Sequence, residues 1–249
     1  MLYELGVRLI SFDRPGYGGS ERLISRLVAD VAPDVEAIAD DLGLDEFAVI
    51  GRSGGGPHAL ACAALLPERV TRAGVLVSLA PWAAEGLDWF DGMADSNVLA
   101  YTTAASNPEV LTARLVTTAA QIKADPSSHV TSLGPEMPEP DRRVLADIGI
   151  RKMLAENYAE ALSDSPDGWI DDVLAFCAPW GFDLAAITVP VLLWHGEKDV
   201  FSPVAHAQWL AEQIPDALVE IRPDAAHFDA LVAVPDILSW LIRPQSLAS

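Results

Sequence analysis

Short apolar runs bounded by turn residues alternate along the chain with longer stretches in which apolar positions recur every three or four residues. Val7 to Phe12, Phe47 to Ile50, Ala73 to Leu79, Val189 to Trp194 and Ala217 to Ile221 are strand-length and rich in Val, Ile, Leu or Phe. Between them, Pro33 to Leu42 sets Val35, Ile38, Ala39 and Leu42 on one helical face, and Pro57 to Leu66 and Pro203 to Ile214 read as further helices. Alternation of this kind predicts an α/β fold: a mostly parallel sheet flanked by helices on both faces.

Residues 83–179 break the rhythm. They offer helical patterns and no convincing strand: one near Leu87 to Ala100, one opening at Asn107-Pro108 with an N-cap and a proline in the first helical position, and one across Asp141 to Leu162. Pro126, Gly134, Pro135, Pro138 and Pro140 mark a loop among them. The expected organisation is a core built from residues 1–82 and 180–249, interrupted by an all-helical cap at 83–179. There is no internal repeat and no low-complexity tract.

Composition narrows the partners. The 249 residues are 51% hydrophobic, which describes a globular chain rather than a disordered or fibrous one. Sixteen Lys and Arg stand against 36 Asp and Glu, a net charge of -20. Such a surface repels phosphate backbones and anionic lipid headgroups, so neither nucleic acid nor a membrane is expected as a partner. Acidic pairs such as Asp40-Asp41 and Asp171-Asp172 read as solvated helix faces. The best apolar stretch, Ala73 to Ala84, is too short to span a bilayer and contains Ser78 and Pro81. Cys62 and Cys177 stand far apart and form no ligand cluster, which fits packed thiols in a reducing compartment. With no basic region and apolar core at the amino terminus, the expected location is cytoplasmic.

Chemistry concentrates after the run at Phe47 to Ile50. Gly51-Arg52-Ser53-Gly54-Gly55 is G-x-S-x-G between a strand and a helix, the setting in which small flanking residues permit a tight turn that holds a serine up at a helix amino end. Ser53 is the candidate nucleophile, and the amide of Gly54 can donate to a developing oxyanion. Of five histidines, His227 is the candidate base because Asp224-Ala225-Ala226-His227-Phe228 follows the last strand, at the edge where a parallel sheet gathers its functional groups. His58 lies within a helix, His195 closes a strand, and His129 and His206 are expected to face water. The acid that orients the imidazole is expected to be Asp199, closing Trp194-His195-Gly196-Glu197-Lys198-Asp199, with Glu197 and then Asp224 as competitors.

The ordered set resembles an α/β-hydrolase. Phe12-Asp13-Arg14-Pro15-Gly16-Tyr17-Gly18-Gly19-Ser20 is similar to the family's strand and glycine-rich turn, Gly51 to Gly55 to its nucleophile elbow, His195 to Asp199 to its acid loop, and His227 to its histidine loop. The similarity runs from about residue 7 to residue 240 and implies Ser53 as nucleophile, Asp199 as acid and His227 as base. It also implies two or three strands ahead of Val7 to Phe12, and a loop after the third that supplies a second oxyanion donor. Neither lies in this sequence, so the expectation is a truncated form of a longer protein.

The function expected from these readings is a serine hydrolase cleaving a small ester or related carbonyl compound through an acyl-enzyme, with no metal or organic cofactor. Carbon-carbon bond hydrolase, lactonase and perhydrolase chemistry share the same triad in the family. A catalytically impaired binding protein is the alternative of another class. Trp82, Trp89, Phe90 and Trp180 are candidates to line a pocket for a hydrophobic small molecule, although aromatic residues in a helical cap also serve as its core. A sheet edge left without its neighbouring strands makes a homo-oligomer possible.

Overall fold

A computed structural model describes residues 2–243 of the chain. Its centre is a four-stranded sheet of β1 (Phe47–Arg52), β2 (Val70–Leu76), β3 (Val191–Gly196) and β4 (Ala217–Arg222), in the order β1-β2-β3-β4 with every neighbouring pair parallel. Among the described residues eleven α-helices accompany it: α1 (Leu2–Leu5), α2 (Val31–Asp41), α3 (Gly55–Leu65), α4 (Asp95–Ser106), α5 (Pro108–Ala124), α6 (Pro126–Ser132), α7 (Glu139–Val144), α8 (Ile148–Ala161), α9 (Asp167–Phe176), α10 (Val204–Gln213) and α11 (Ala230–Leu241).

The two-residue period of a strand divides the core. Ala73 and Val75 of β2, with Val191 and Leu193 of β3, pack into the apolar cluster that also holds Leu60 of α3 and Leu210 of α10. Their alternates Leu76, Leu192 and Trp194 turn to the other face and meet Ile237, Leu238 and Leu241 of α11. β3 is buried along its whole length, as a central parallel strand covered on both faces must be. β1 and β4 are the sheet's edges, and Leu218 and Val219 of β4 remain exposed.

Helices α4 to α9 lie between β2 and β3 in the chain, in the segment read as a break in the rhythm. Asn107 caps α5 by accepting from Val110 N, with Pro108 in the first turn, as its sequence predicts. Two helical readings are corrected. The helix sought near Leu87 begins at Asp95, because Gly86 and Gly92 adopt positive φ (+82° and +76°) and break any helix before it. The helix sought across Asp141 to Leu162 is two, α7 and α8, since Asp147 starts a new N-terminus by accepting from Ile150 N at 3.0 Å. β2 also stops before Leu79: Val77 takes φ +46°, outside any strand conformation.

Val7 to Phe12 forms no strand. The segment has no regular secondary structure, and Leu9, Ile10 and Phe12 are exposed. A strand exists only through its ladder to a neighbour, and among the described residues β1 pairs with β2 alone. Apolar character without a neighbouring strand leaves the run irregular.

Candidate active site

Ser53 stands directly beyond β1 in the left-handed region, φ +54°, a conformation that costs a residue with a side chain about 1–3 kcal/mol. Two backbone hydrogen bonds hold it there: Ser53 N donates to Leu76 O at 2.8 Å, and Gly56 N donates to Ser53 O at 2.9 Å. α3 starts immediately afterwards with Gly54 as its N-cap. The turn's demand for small residues falls differently from the motif's letters. A Cβ on Gly51 would sit 2.1 Å from Gly55 O and one on Gly56 2.4 Å from Ser78 Oγ, whereas Gly55 faces open space. The required glycines are therefore 51 and 56.

Asp199 and His227 meet. His227 Nδ1 donates to Asp199 Oδ2 at 2.8 Å, and both side chains are buried. The other carboxylate oxygen accepts from Phe201 N at 2.8 Å and Ser202 N at 3.0 Å, so the acid is fixed by the loop that follows β3. His195 Nε2 donates to Ser202 O at 2.6 Å and lies 3.4 Å from Asp199 Oδ2, bracing the same loop. Burial alone would raise the Asp199 carboxyl. The His227 charge and the hydrogen bonds from His195 and His227 outweigh it and hold Asp199 well below the usual carboxylate range. His227 moves down from its ordinary value because burial disfavours the imidazolium more than Asp199 favours it, so its Nε2 is a free base at neutral pH. Glu197 is exposed, and Asp224 is an exposed partner of Lys198.

The parallel sheet explains how residues so far apart in the chain share one rim. Ser53 follows β1, Asp199 follows β3 and His227 follows β4, all at the carboxyl ends of their strands. Arg52 links the first and last of these loops, donating from Nη2 to His227 O at 3.5 Å while its guanidinium lies over the Phe228 ring. Phe201 and Phe228, neighbours of Asp199 and His227, pack with Val144 of α7, Leu145 just past its end and Leu154 of α8. The inserted helices thus contact the histidine loop directly.

Two histidines are placed otherwise than their sequence suggests. His206 is buried, accepting from Ala80 N and donating to Trp89 O, each at 3.0 Å, and does not face water. His129 is half-buried against the rings of Tyr158 and Trp169. Trp82, Trp89 and Phe90 form one aromatic cluster with Tyr101 and His206, and Trp89 Nε1 donates to Ala80 O. Trp180 belongs to another contact, stacked on Phe182. A 460 Å³ cleft between α6 and α8 is lined by residues such as Val130, Ile148 and Ala155 and includes none of Ser53, Asp199 or His227.

Asp171 and Asp172 are no solvated face. Both are 4% exposed. Arg22 grips Asp171 through Nε and Nη2, each at 2.8 Å. Asp172 is held by Arg14, by the Tyr17 hydroxyl at 2.8 Å and by Arg26 at 2.7 Å. The sequence signal that could have revealed this is a trio of arginines at 14, 22 and 26, facing an acidic pair set among the apolar residues of α9. Asp141 carried no such signal. It is fully buried and accepts from Phe228 N, 87 residues away in the chain. Burial pushes its carboxyl up to about 7 against the pull of the Phe228 and His227 backbone amides, with the Asp199 and Asp229 charges adding to the rise. Among the described residues no group of three or more His, Cys, Asp and Glu converges as metal ligands do, and no helix is long and apolar enough to cross a membrane.

The sequence model of the alpha/beta hydrolase fold matches residues 1–234. The chain belongs to the α/β-hydrolase family. Among its relatives, a pimeloyl-[acyl-carrier protein] methyl ester esterase from Nitrosomonas europaea is 28% identical over 229 residues, covering 88% of this chain and 78% of that one. A non-heme haloperoxidase from Rhodococcus erythropolis is 26% identical over 256 residues, covering 96% and 84%. In three dimensions the chain is similar to bromoperoxidase from Bacillus anthracis, with a TM-score of 0.68 at 21% identity, covering 97% of this chain and 82% of that one. That likeness extends the agreement in fold to nearly the whole chain.

Proposed function

We propose that this α/β-hydrolase cleaves a small ester or related carbonyl compound through an acyl-enzyme formed on Ser53. His227 Nε2 takes the hydroxyl proton as Ser53 Oγ attacks the carbonyl carbon, and Asp199 stabilises the resulting imidazolium through the Nδ1 hydrogen bond. The carbonyl oxygen becomes an oxyanion facing the Gly54 amide at the start of α3, where the helix dipole also favours negative charge. Collapse expels the alcohol, which leaves with the proton carried by His227. Water, deprotonated by the same imidazole, then releases the acid and restores the serine.

The observation that carries this reading is the buried 2.8 Å contact between His227 Nδ1 and Asp199 Oδ2 at the sheet edge where Ser53 holds a positive φ. The methyl ester esterase relative supports the ester as substrate class. On this reading the helical segment at 83–179 serves as a lid over the rim, and its aromatic residues favour a hydrophobic small molecule.

A fluorophosphonate probe tests the assignment. Wild-type protein is expected to be labelled at Ser53 and to turn over p-nitrophenyl acetate and butyrate, and Ser53→Ala to lose both signals. Undiminished labelling of Ser53→Ala removes Ser53 from the mechanism, and a wild-type protein that neither labels nor turns over substrate overturns the reading.

A further inference from the structure

The elbow places its oxyanion donor in a run of three glycines, Gly54-Gly55-Gly56, the part of a chain with the greatest conformational freedom. A donor works in catalysis only when it is already aimed before charge develops. The peptide that follows Gly54 needs a restraint from outside the run, since Gly54 has no side chain with which to cap its own helix.

Two side chains close on Gly54. His58, one turn along α3, has Nδ1 at 2.8 Å from Gly54 O. A carbonyl only accepts, so Nδ1 carries the proton and His58 is the donor. On the other side stands Phe176, the last residue of α9, whose ring would lie 3.1 Å from a Cβ at Gly54 and which meets the His58 ring edge-on with centroids 5.8 Å apart. The Gly56 N to Ser53 O bond fixes the peptide before Gly54, and the His58 bond fixes the peptide after it.

His58 and Phe176 are themselves anchored. Asp172, one turn before Phe176 on α9, lies 3.7 Å from His58 Nε2 and is locked by Arg14, Tyr17 and Arg26. The glycine-rich turn that carries Arg14 and Tyr17 touches α9 backbone to backbone, Gly168 N donating to Gly16 O at 2.9 Å. Burial keeps His58 neutral, lowered to about 4, which preserves the single-donor tautomer at neutral pH.

We propose that His58 is a positioning residue for the reaction: with Phe176 it clasps Gly54, and through α9 it ties the aim of the oxyanion donor to the turn at residues 13–20. The proposal rests on the serine-hydrolase reading for its catalytic consequence and on geometry alone for the clasp itself.

The test compares two substitutions that leave every salt bridge of Asp172 to arginine intact. His58→Phe keeps the ring and its packing but has no donor, while His58→Asn restores an N–H close to the position of Nδ1. For His58→Phe, kcat on p-nitrophenyl acetate and the rate of fluorophosphonate labelling are expected to fall about fivefold to tenfold, the worth of one hydrogen bond, with KM changed less than about twofold. Amide hydrogen exchange across residues 53–56 is expected to quicken in His58→Phe and to return toward wild type in His58→Asn, together with the rate. A folded His58→Phe protein with wild-type labelling and exchange overturns the proposal, as does a His58→Asn protein no better than His58→Phe. If wild-type protein is never labelled, the reaction assignment fails and the exchange comparison alone decides the clasp.

Discussion

Asp141 shows how one buried carboxyl couples the inserted helices to the histidine loop and at what cost. It accepts from Phe228 N while lying close enough to Asp199 and Asp229 for their charges to raise it. Its folded carboxyl titrates at about 7 against an ordinary 3.8, so the folded state binds the proton more tightly than the unfolded chain. The stability this contributes is complete below about pH 4 and is lost as pH rises through 7. Asp141→Asn keeps an oxygen for Phe228 N–H and removes the charge. Thermal melts at pH 8 should place its Tm above wild type, by about 2–4 °C for each kcal/mol relieved, with the gap narrowing at pH 5. A gap that is unchanged or larger at pH 5 would show that the ionised carboxylate carries no such burden.

At the scale of elements, the turn from β1 into α3 separates glycines that look alike in the sequence. Gly51 lies against the Gly55 carbonyl, whereas Gly55 faces open space at the start of the helix. Gly51→Ala is expected to cost more than about 3 kcal/mol, because the added carbon meets backbone that cannot yield without unwinding the elbow. Gly55→Ala is expected to fold and to gain about 0.4–1 kcal/mol by narrowing the unfolded ensemble. Urea denaturation of the two variants reads both signs, and equal destabilisation would mean that Gly55 is held by more than its own freedom. The elbow letters were legible in the sequence because a strand, a tight turn and a helix are specified by adjacent residues. The clasp on Gly54 was not, since Phe176 and His58 are joined only when α9 packs beside α3.

For the whole molecule, charge sets the conditions under which the fold is most stable. A net charge of -20 makes the surface repel itself, while the Arg26 contact to Asp172 sits out of solvent on both sides. Salt screens exposed charges over roughly 10 Å at 0.1 M and reaches buried pairs far less. Raising NaCl from about 10 mM to about 300 mM should therefore raise the Tm. A falling Tm would mean that attractive ion pairs, not net repulsion, dominate the charge balance.

The sequence by itself determined the parallel α/β architecture and the tight turn at Ser53, and it singled out Asp199 and His227 as the candidates proposed to act with that serine. Each of these rests on a local signal: apolar period, turn chemistry, or position just beyond a strand whose carboxyl end must join a common rim. Only the tertiary structure decided that Val7 to Phe12 is not a strand, that Asp171 and Asp172 turn inward to arginines, that His206 is buried and that Asp141 reaches Phe228. In every such instance the energy depends on a partner distant in the chain. A run of apolar residues becomes a strand only beside another strand, and an acidic residue is buried only where donors or positive charge meet it.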